Sequence, residues 1–276
     1  MKKLKITFAL GLFLLGLVSV NAQDEIEKNP ILTSKFQFEV GTFFPSKTID
    51  IEVDGAGPND EIEFGKAFGL ESTQTTLLMG FDWRFSKKWK VAFEYFGLKN
   101  SNTRTLEEDI SWEDFTFEAG TNVKGGINFS IYRVYVGRIF TEGQKHEFGG
   151  GLGVHAMNVR VSLEGDVLTN QGDLGFEKSR KSITIPLPNL GLWYFYAPLT
   201  KLAFTARVDF FALSINEFSG NLWNVTPGVN YQVFKHVGVA ANYRWVNIGA
   251  EYDTSNWNGS VDIIFQGPSI SITGNF

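Results

Sequence analysis

The sequence predicts an all-β fold, a transmembrane antiparallel up-and-down β-barrel of about ten strands, with eight or twelve as the nearest alternatives. Three observations predict it. From Phe36 onward apolar residues alternate with small, polar or charged ones, over stretches longer than an average globular strand. Brief turns alternate with longer polar connections. Aromatic residues collect where strands meet turns, as amphipathic rings do at the two surfaces of a bilayer.

The first hairpin shows the pattern. Leu77, Met79, Phe81, Trp83 and Phe85 share one face, and Thr76, Gly80, Asp82 and Arg84 share the other. After the polar turn Ser86-Lys87-Lys88, Trp89, Val91, Phe93 and Tyr95 alternate with Lys90, Ala92 and Glu94. The same reading places strands near 33–45, 72–85, 89–106, 115–140, 146–163, 181–197, 201–213, 220–234, 237–251 and 259–276. Turns near 86–88, 141–145, 198–200 and 235–236 are brief, whereas the connections near 46–71 and 164–180 are long. A polar tip near 252–258 and shorter links near 107–114 and 214–219 complete the connections.

Composition narrows the class. The chain has 276 residues, 43% hydrophobic and 15% aromatic with 29 Gly and 8 Pro, which fits neither a disordered nor a fibrous chain. Without cysteine there is no disulfide framework and no thiolate metal site. A net charge of −5 argues against a nucleic-acid surface. Lys2, Lys3 and Lys5 precede an apolar run from Ile6 to Val20, and Val20 and Ala22 are the small residues before a cut. Residues 1–22 are therefore expected to be a secretory signal peptide and 23–276 a single barrel domain.

Alternation alone does not say which face meets lipid, because a soluble barrel alternates too. Aromatics flank each turn: Trp83, Phe85 and Trp89; Phe140 and Phe148; Tyr194 and Tyr196; Tyr231 and Phe234. The opposite face carries Asp82, Arg84, Glu94, Arg133, His155, Arg207, Asp209, Asn242 and Arg244, with glycines between them. A dry core does not hold that many charges, since an unpaired buried ion costs several kcal/mol. These nine residues are expected to form a charge network in the lumen, with rings facing hydrocarbon.

The last strand runs Gln266-Gly267-Pro268-Ser269-Ile270-Ser271-Ile272-Thr273-Gly274-Asn275-Phe276. With the signal peptide and the ladder of hairpins, it resembles the small outer-membrane β-barrel proteins of Gram-negative bacteria. Members of that family typically end in an aromatic residue with apolar residues at every second position before it. Ile270, Ile272 and Phe276 match, whereas Gly274 stands where a bulkier residue is commoner. The resemblance implies an outer-membrane location, brief turns toward the periplasm, and assembly by the barrel-assembly machinery, which reads that final strand. It also implies outer-membrane lipid and lipopolysaccharide as the surroundings, and it names no single activity.

The leading expectation is a structural or surface-interaction barrel, monomeric and without catalysis, cofactor, metal or nucleic-acid partner. In a barrel this narrow the interior ions should pair across the lumen. The alternative is a narrow channel or porin for small solutes, in which Arg133, Arg207 and Arg244 against Glu94 and Asp209 would favour anions. A lipid-modifying or proteolytic barrel is a third reading. Its difficulty is the chain's histidines, of which His146 and His236 belong to periplasmic turns and only His155 lies deeper. Arg138 shares the lipid-facing parity and should snorkel to headgroups beside its turn.

Acidic residues crowd two outer loops, Asp50, Glu52, Asp54, Asp60, Glu61 and Glu63, then Glu107, Glu108, Asp109, Glu113 and Asp114. They read as solvated tips, or as a place where divalent cations bridge to lipopolysaccharide, and no EF-hand spacing is present. Gly151-Leu152-Gly153-Val154-His155-Ala156 fits a dinucleotide-binding spacing, but it lies within a strand and not between a strand and a helix.

Overall fold

The computed structural model describes residues 27–53, 75–107, 109–112, 115–168, 174–215, 218–253 and 258–276. The expected signal peptide, residues 1–22, and the acidic residues Asp54, Asp60, Glu61, Glu63, Glu108, Glu113 and Asp114 lie outside them. One helical turn, α1 (Pro30–Thr33), precedes the strands β1 (Phe36–Phe43), β2 (Ser46–Val53), β3 (Thr76–Trp83) and β4 (Trp89–Thr105). Two short strands, β5 (Ile110–Trp112) and β6 (Phe115–Phe117), form a small hairpin. Then come β7 (Asn122–Glu142), β8 (His146–Leu168), β9 (Leu174–Tyr196), β10 (Leu202–Ile215), β11 (Phe218–Gln232), β12 (Val237–Asp253) and β13 (Asn258–Asn275).

Ten antiparallel walls close the ring in the order β1, β3, β4, β7, β8, β9, β10, β11, β12, β13, and β13 returns to β1. β2 continues β1 in the same register along β13, Phe43 facing Ser269 and Ser46 facing Gln266, across a break at Phe44-Pro45. At the seam the Phe36 and Phe276 backbones exchange hydrogen bonds of 2.8 and 2.9 Å.

Three expected elements are corrected. The connection placed near 164–180 is largely strand, because β8 runs to Leu168 and β9 starts at Leu174. The connection near 46–71 likewise begins as strand β2. The 164–180 segment stands beyond the apolar belt and lacks the apolar alternation by which a strand is read, whereas in β2 Ile49, Ile51 and Val53 do alternate with Asp50 and Glu52. The strand placed at 115–140 is broken between β6 and β7 by a turn at Ala119-Gly120, where Gly120 has φ 85°, a left-handed conformation that favours glycine.

Along β7 burial alternates without fault from Ile131 to Phe140, Arg133 at 2% exposure beside Tyr132 at 49%. The outward residues from Val237 to Trp245 span roughly 20 Å at about 3.3 Å per residue and a tilt near 40°. That approaches the apolar band of about 25 Å expected of such barrels. Trp83, Phe85, Trp89, Phe140, Tyr194, Tyr196 and Tyr231 ring the periplasmic edge and are exposed. Arg138 is also exposed there, its guanidinium 6.0 Å from the Trp89 ring. The register shift of β7 falls between Ile139 and Thr141, so Arg138 keeps its place opposite Gly150 and Trp89.

The interior differs from a purely ionic one. Rings of the kind that face lipid also point inward, among them Phe43, Phe96, Phe129 and Phe265. They fill the outer half of the lumen with Leu78, Ile131, Met157, Leu187, Leu222 and Val246 as one apolar cluster. Lower down, glycines make room for two large inner-face side chains. A Cβ on Gly149 would stand 2.1 Å from the Trp193 ring, and one on Gly191 2.5 Å from Tyr135, whose hydroxyl donates to the Gly191 carbonyl at 2.7 Å.

Candidate functional site: the lumen

Inward parity brings all nine expected residues to the inside of the wall, but in two groups. At mid-barrel, Glu94 on β4 accepts two hydrogen bonds from Arg244 on β12, at 2.6 and 2.9 Å, and one from Arg207 on β10 at 2.6 Å. Arg133 on β7 donates to Asp209 on β10 at 2.8 Å, and Asn224 donates to the other Asp209 oxygen at 3.0 Å. Arg207 Nε lies 3.8 Å from Asp209 and joins the two pairs. His155 packs its Nδ1 against the Asn189 amide oxygen at 3.1 Å, with Nε2 3.8 Å from Asp209.

The strand pattern explains the convergence. The residues sit on inward positions of several walls, Arg207 and Asp209 together on β10, and a ten-strand ring is narrow enough for long side chains to meet. Rings support the guanidinium groups, with Arg133 4.3 Å from the Tyr135 ring and Arg244 5.0 Å from Phe96.

Glu39 on β1 belongs to this layer and was not foreseen. It accepts from Ser271 at 2.6 Å and from Asn242 at 3.3 Å. Three guanidinium groups therefore face three carboxyl groups, where the sequence reading counted two. Its inward parity next to Phe38 and Val40 was the available signal, obscured because β1 is short and ends at a break.

Arg84 belongs to a second group near the periplasmic mouth. It donates to Glu147 at 2.5 Å, Lys90 does so at 3.3 Å, and the Trp193 indole at 2.8 Å. The Lys90 ammonium lies 3.9 Å from the Trp193 ring and 4.7 Å from Phe195. Glu147 was missed, although it shares a face with Gly149, Gly151 and Gly153. Asp82 is half-buried and lines a cavity of about 120 Å³ between the two groups, which Glu39, Arg207, Asn242 and Ile31 also line.

α1 packs at the lower end of that cavity, with Ile31 in its lining. Pro30 starts the turn, and the Asn29 side chain caps it by accepting from the Ile31 N–H at 3.0 Å. Asn29 also donates to the Leu199 carbonyl at 3.2 Å, and Gln37 donates to the Ile31 carbonyl at 2.7 Å. Ile31 and Leu32 bury against Ala197, Ala203 and Phe195.

The final strand presents Ile270 and Ile272 outward, and Phe276 stacks on His236 with ring centroids 5.2 Å apart. A Cβ on Gly274 would stand 3.1 Å from the Phe276 ring, so the glycine makes room for the ring to fold back along the wall. Among the described residues no three His, Cys, Asp or Glu come together as metal ligands. Gly151 and Gly153 lie within β8, facing the lumen.

No protein-family model matches the chain, and no curated protein matches it. Among solved structures, the outer-membrane protease OmpT of Escherichia coli has a similar fold, with a TM-score of 0.56 at 10% identity over 92% of this chain and all of that one. The toluene transporter TodX of Pseudomonas putida aligns at a TM-score of 0.38 and 10% identity, over 90% of this chain and 91% of that one. The attachment invasion locus protein Ail of Yersinia pestis aligns at 0.29 and 8%, over 86% and 99%. At these identities the OmpT likeness speaks for the fold alone, and the other two scores carry no further argument. A closed ring with an outward apolar belt, aromatic edges and its mid-barrel charges turned inward is built for a bilayer crossed by strands. The chain has the fold of the small outer-membrane β-barrels of Gram-negative bacteria, and its place is the outer membrane.

Proposed function

We propose that this protein is a closed outer-membrane barrel that works through its outward extension, without passing solutes and without catalysis. The observation that carries this reading is the apolar cluster across the outer half of the lumen, in which Phe43, Phe129 and Phe265 are fully buried. A hydrated ion has no polar lining to follow there, and desolvation sets a high barrier.

The guanidinium groups below are engaged with carboxylates, so an anion would have to displace a buried partner to use them. This weighs against the narrow anion-favouring channel. The enzyme reading needs an acid–base pair that meets a substrate, yet the chain's three histidines lie at the periplasmic turns and within the sealed layer. The extension has substance, since β8 and β9 continue well beyond the belt and carry β6 at their rim through Thr116 and Leu168.

Osmotic swelling of proteoliposomes tests the reading. Vesicles holding the barrel should swell in small sugars and amino acids no faster than empty ones, and solute-dependent swelling would favour the channel instead. For catalysis, mass spectra of lipid A from cells with and without the protein should be identical.

A further inference from the structure

The cavity below the mid-barrel ion layer is lined by charged groups that the network leaves accessible. Asp82 on β3 faces it half-buried, and among the described residues no hydrogen bond or ion pair reaches its carboxylate. Arg207 lines it from β10, and its side chain keeps 25% exposure where those of Arg133 and Arg244 keep 2% and 3%. It is the one guanidinium group of the three with an open edge. Asn230, also in the lining, donates to Thr273 at 3.2 Å and leaves its amide oxygen buried without a partner, the residue being 6% exposed. A buried acceptor of that kind calls for a donor.

Register sets the distance between the two charges. Gly80 on β3 faces Glu94 on β4, and Asp82 is the next inward position toward the periplasm. Asp82 is thus a diagonal neighbour of Glu94, roughly 7–8 Å away between Cα atoms. Arg207 is held on Glu94 at 2.6 Å, so its guanidinium stands a comparable distance above Asp82, outside ion-pair reach. Thr205 lies one inward position below Arg207 and also lines the cavity. The volume of about 120 Å³ is somewhat under the roughly 150 Å³ of a cavity that holds benzene. A ligand of about five to seven non-hydrogen atoms fits it.

We propose that this cavity is a periplasm-facing site for a free α-amino acid with a small side chain, of the size of glycine, alanine or serine. The ammonium group binds Asp82, and the carboxylate accepts from Arg207 and from the Thr205 hydroxyl. Asn230 Oδ1, on the facing wall, accepts from the ammonium or from a side-chain hydroxyl. The two charges of an α-amino acid lie about 3 Å apart, and with a hydrogen bond of about 2.8 Å at each end they bridge roughly 8 Å. A simple anion would meet the Asp82 carboxylate and a simple cation the Arg207 guanidinium, so the pair selects a ligand that carries both charges. The ligand enters past α1, whose Ile31 lines the lower end. The site lies on the periplasmic side of the apolar cluster, and the inference stands apart from whether the lumen conducts and from what the outward extension does.

Equilibrium dialysis of the purified, micelle-folded barrel against radiolabelled L-alanine tests it. The wild type should show saturable binding of one alanine per barrel, displaced by glycine and L-serine but not by ethylamine, propionate or L-phenylalanine. D82N should weaken binding about tenfold or more, the usual consequence of losing a hydrogen bond between charged groups. T205F, which fills the cavity, should abolish it. Both variants should keep the heat-modifiable gel migration of a folded barrel, and K235Q, at a periplasmic turn, should bind like the wild type. Three results would overturn the proposal: no saturable alanine binding by the wild type, wild-type affinity in D82N or in folded T205F, or displacement by ethylamine or propionate as readily as by glycine.

Discussion

Arg244 and Glu94 face one another across the lumen, joined by two parallel hydrogen bonds, Nη1 to Oε1 at 2.6 Å and Nη2 to Oε2 at 2.9 Å. They are 150 residues apart in the chain, and both are buried. The pair ties β12 to β4 through the middle of the barrel, and Arg207 shares the same carboxylate.

Replacing Glu94 by Gln leaves Arg244 and Arg207 without their counter-ion at a buried place. A loss of about 3–5 kcal/mol is expected for breaking a buried pair from one side. Urea unfolding of the folded barrel in lipid vesicles measures it, and an unchanged midpoint would mean the network contributes little.

The outer cluster should respond as a packed core. Phe129 and Phe265 meet edge to face with centroids 5.9 Å apart. Phe265→Ala should destabilise by about 3–5 kcal/mol, the usual cost of a buried ring. The same unfolding assay reads this, and a change under 1 kcal/mol, small beside most core truncations, would contradict close packing.

How much of this was legible from sequence depends on the level. The alternation at Phe93-Glu94 and Tyr132-Arg133 gave wall and facing directly, because one strand carries the whole signal. Phe43, Phe96, Phe129 and Phe265 were not recognised as interior, since a ring has the same chemistry on either face and only parity relative to a distant belt separates them. The partner of Glu94 was open among three arginines, because choice depends on stagger around the ring. Glu147 was readable from parity alone, whereas the Lys90–Trp193 stacking needed coordinates.

Trp193 lies against Gly149, so Gly149→Val should force the indole or the wall to move and cost about 1–3 kcal/mol by overpacking. Gly80→Ala is the contrast, with Glu39 Cβ at 3.3 Å from the new carbon. Thermal gel-shift midpoints should fall well below wild type for the first and stay near it for the second. Equal midpoints would remove the steric argument.

The chain has no native cysteine, so a single introduced thiol reports access cleanly. Thr205→Cys, in the lower cavity, should react with a charged maleimide slowly and only from the periplasmic side, and faster when Ile31→Gly and Leu32→Gly loosen α1. Leu222→Cys, inside the apolar cluster, should stay unlabelled in both backgrounds. Labelling of Leu222→Cys in the folded wild-type background would show that water reaches the cluster.

Phe276→Ala removes the ring that stacks on His236 and covers Gly274. Slower insertion into vesicles by purified assembly machinery is the expected outcome, scored as the fraction of heat-modifiable barrel against time. Identical time courses would separate Phe276 from assembly.

The most direct test is electrical. Purified barrel inserted in planar lipid bilayers under an applied potential should give no steady single-channel current, because the apolar half of the lumen offers ions no hydrated path. Reproducible unitary conductance steps from the wild-type chain would contradict the sealed barrel.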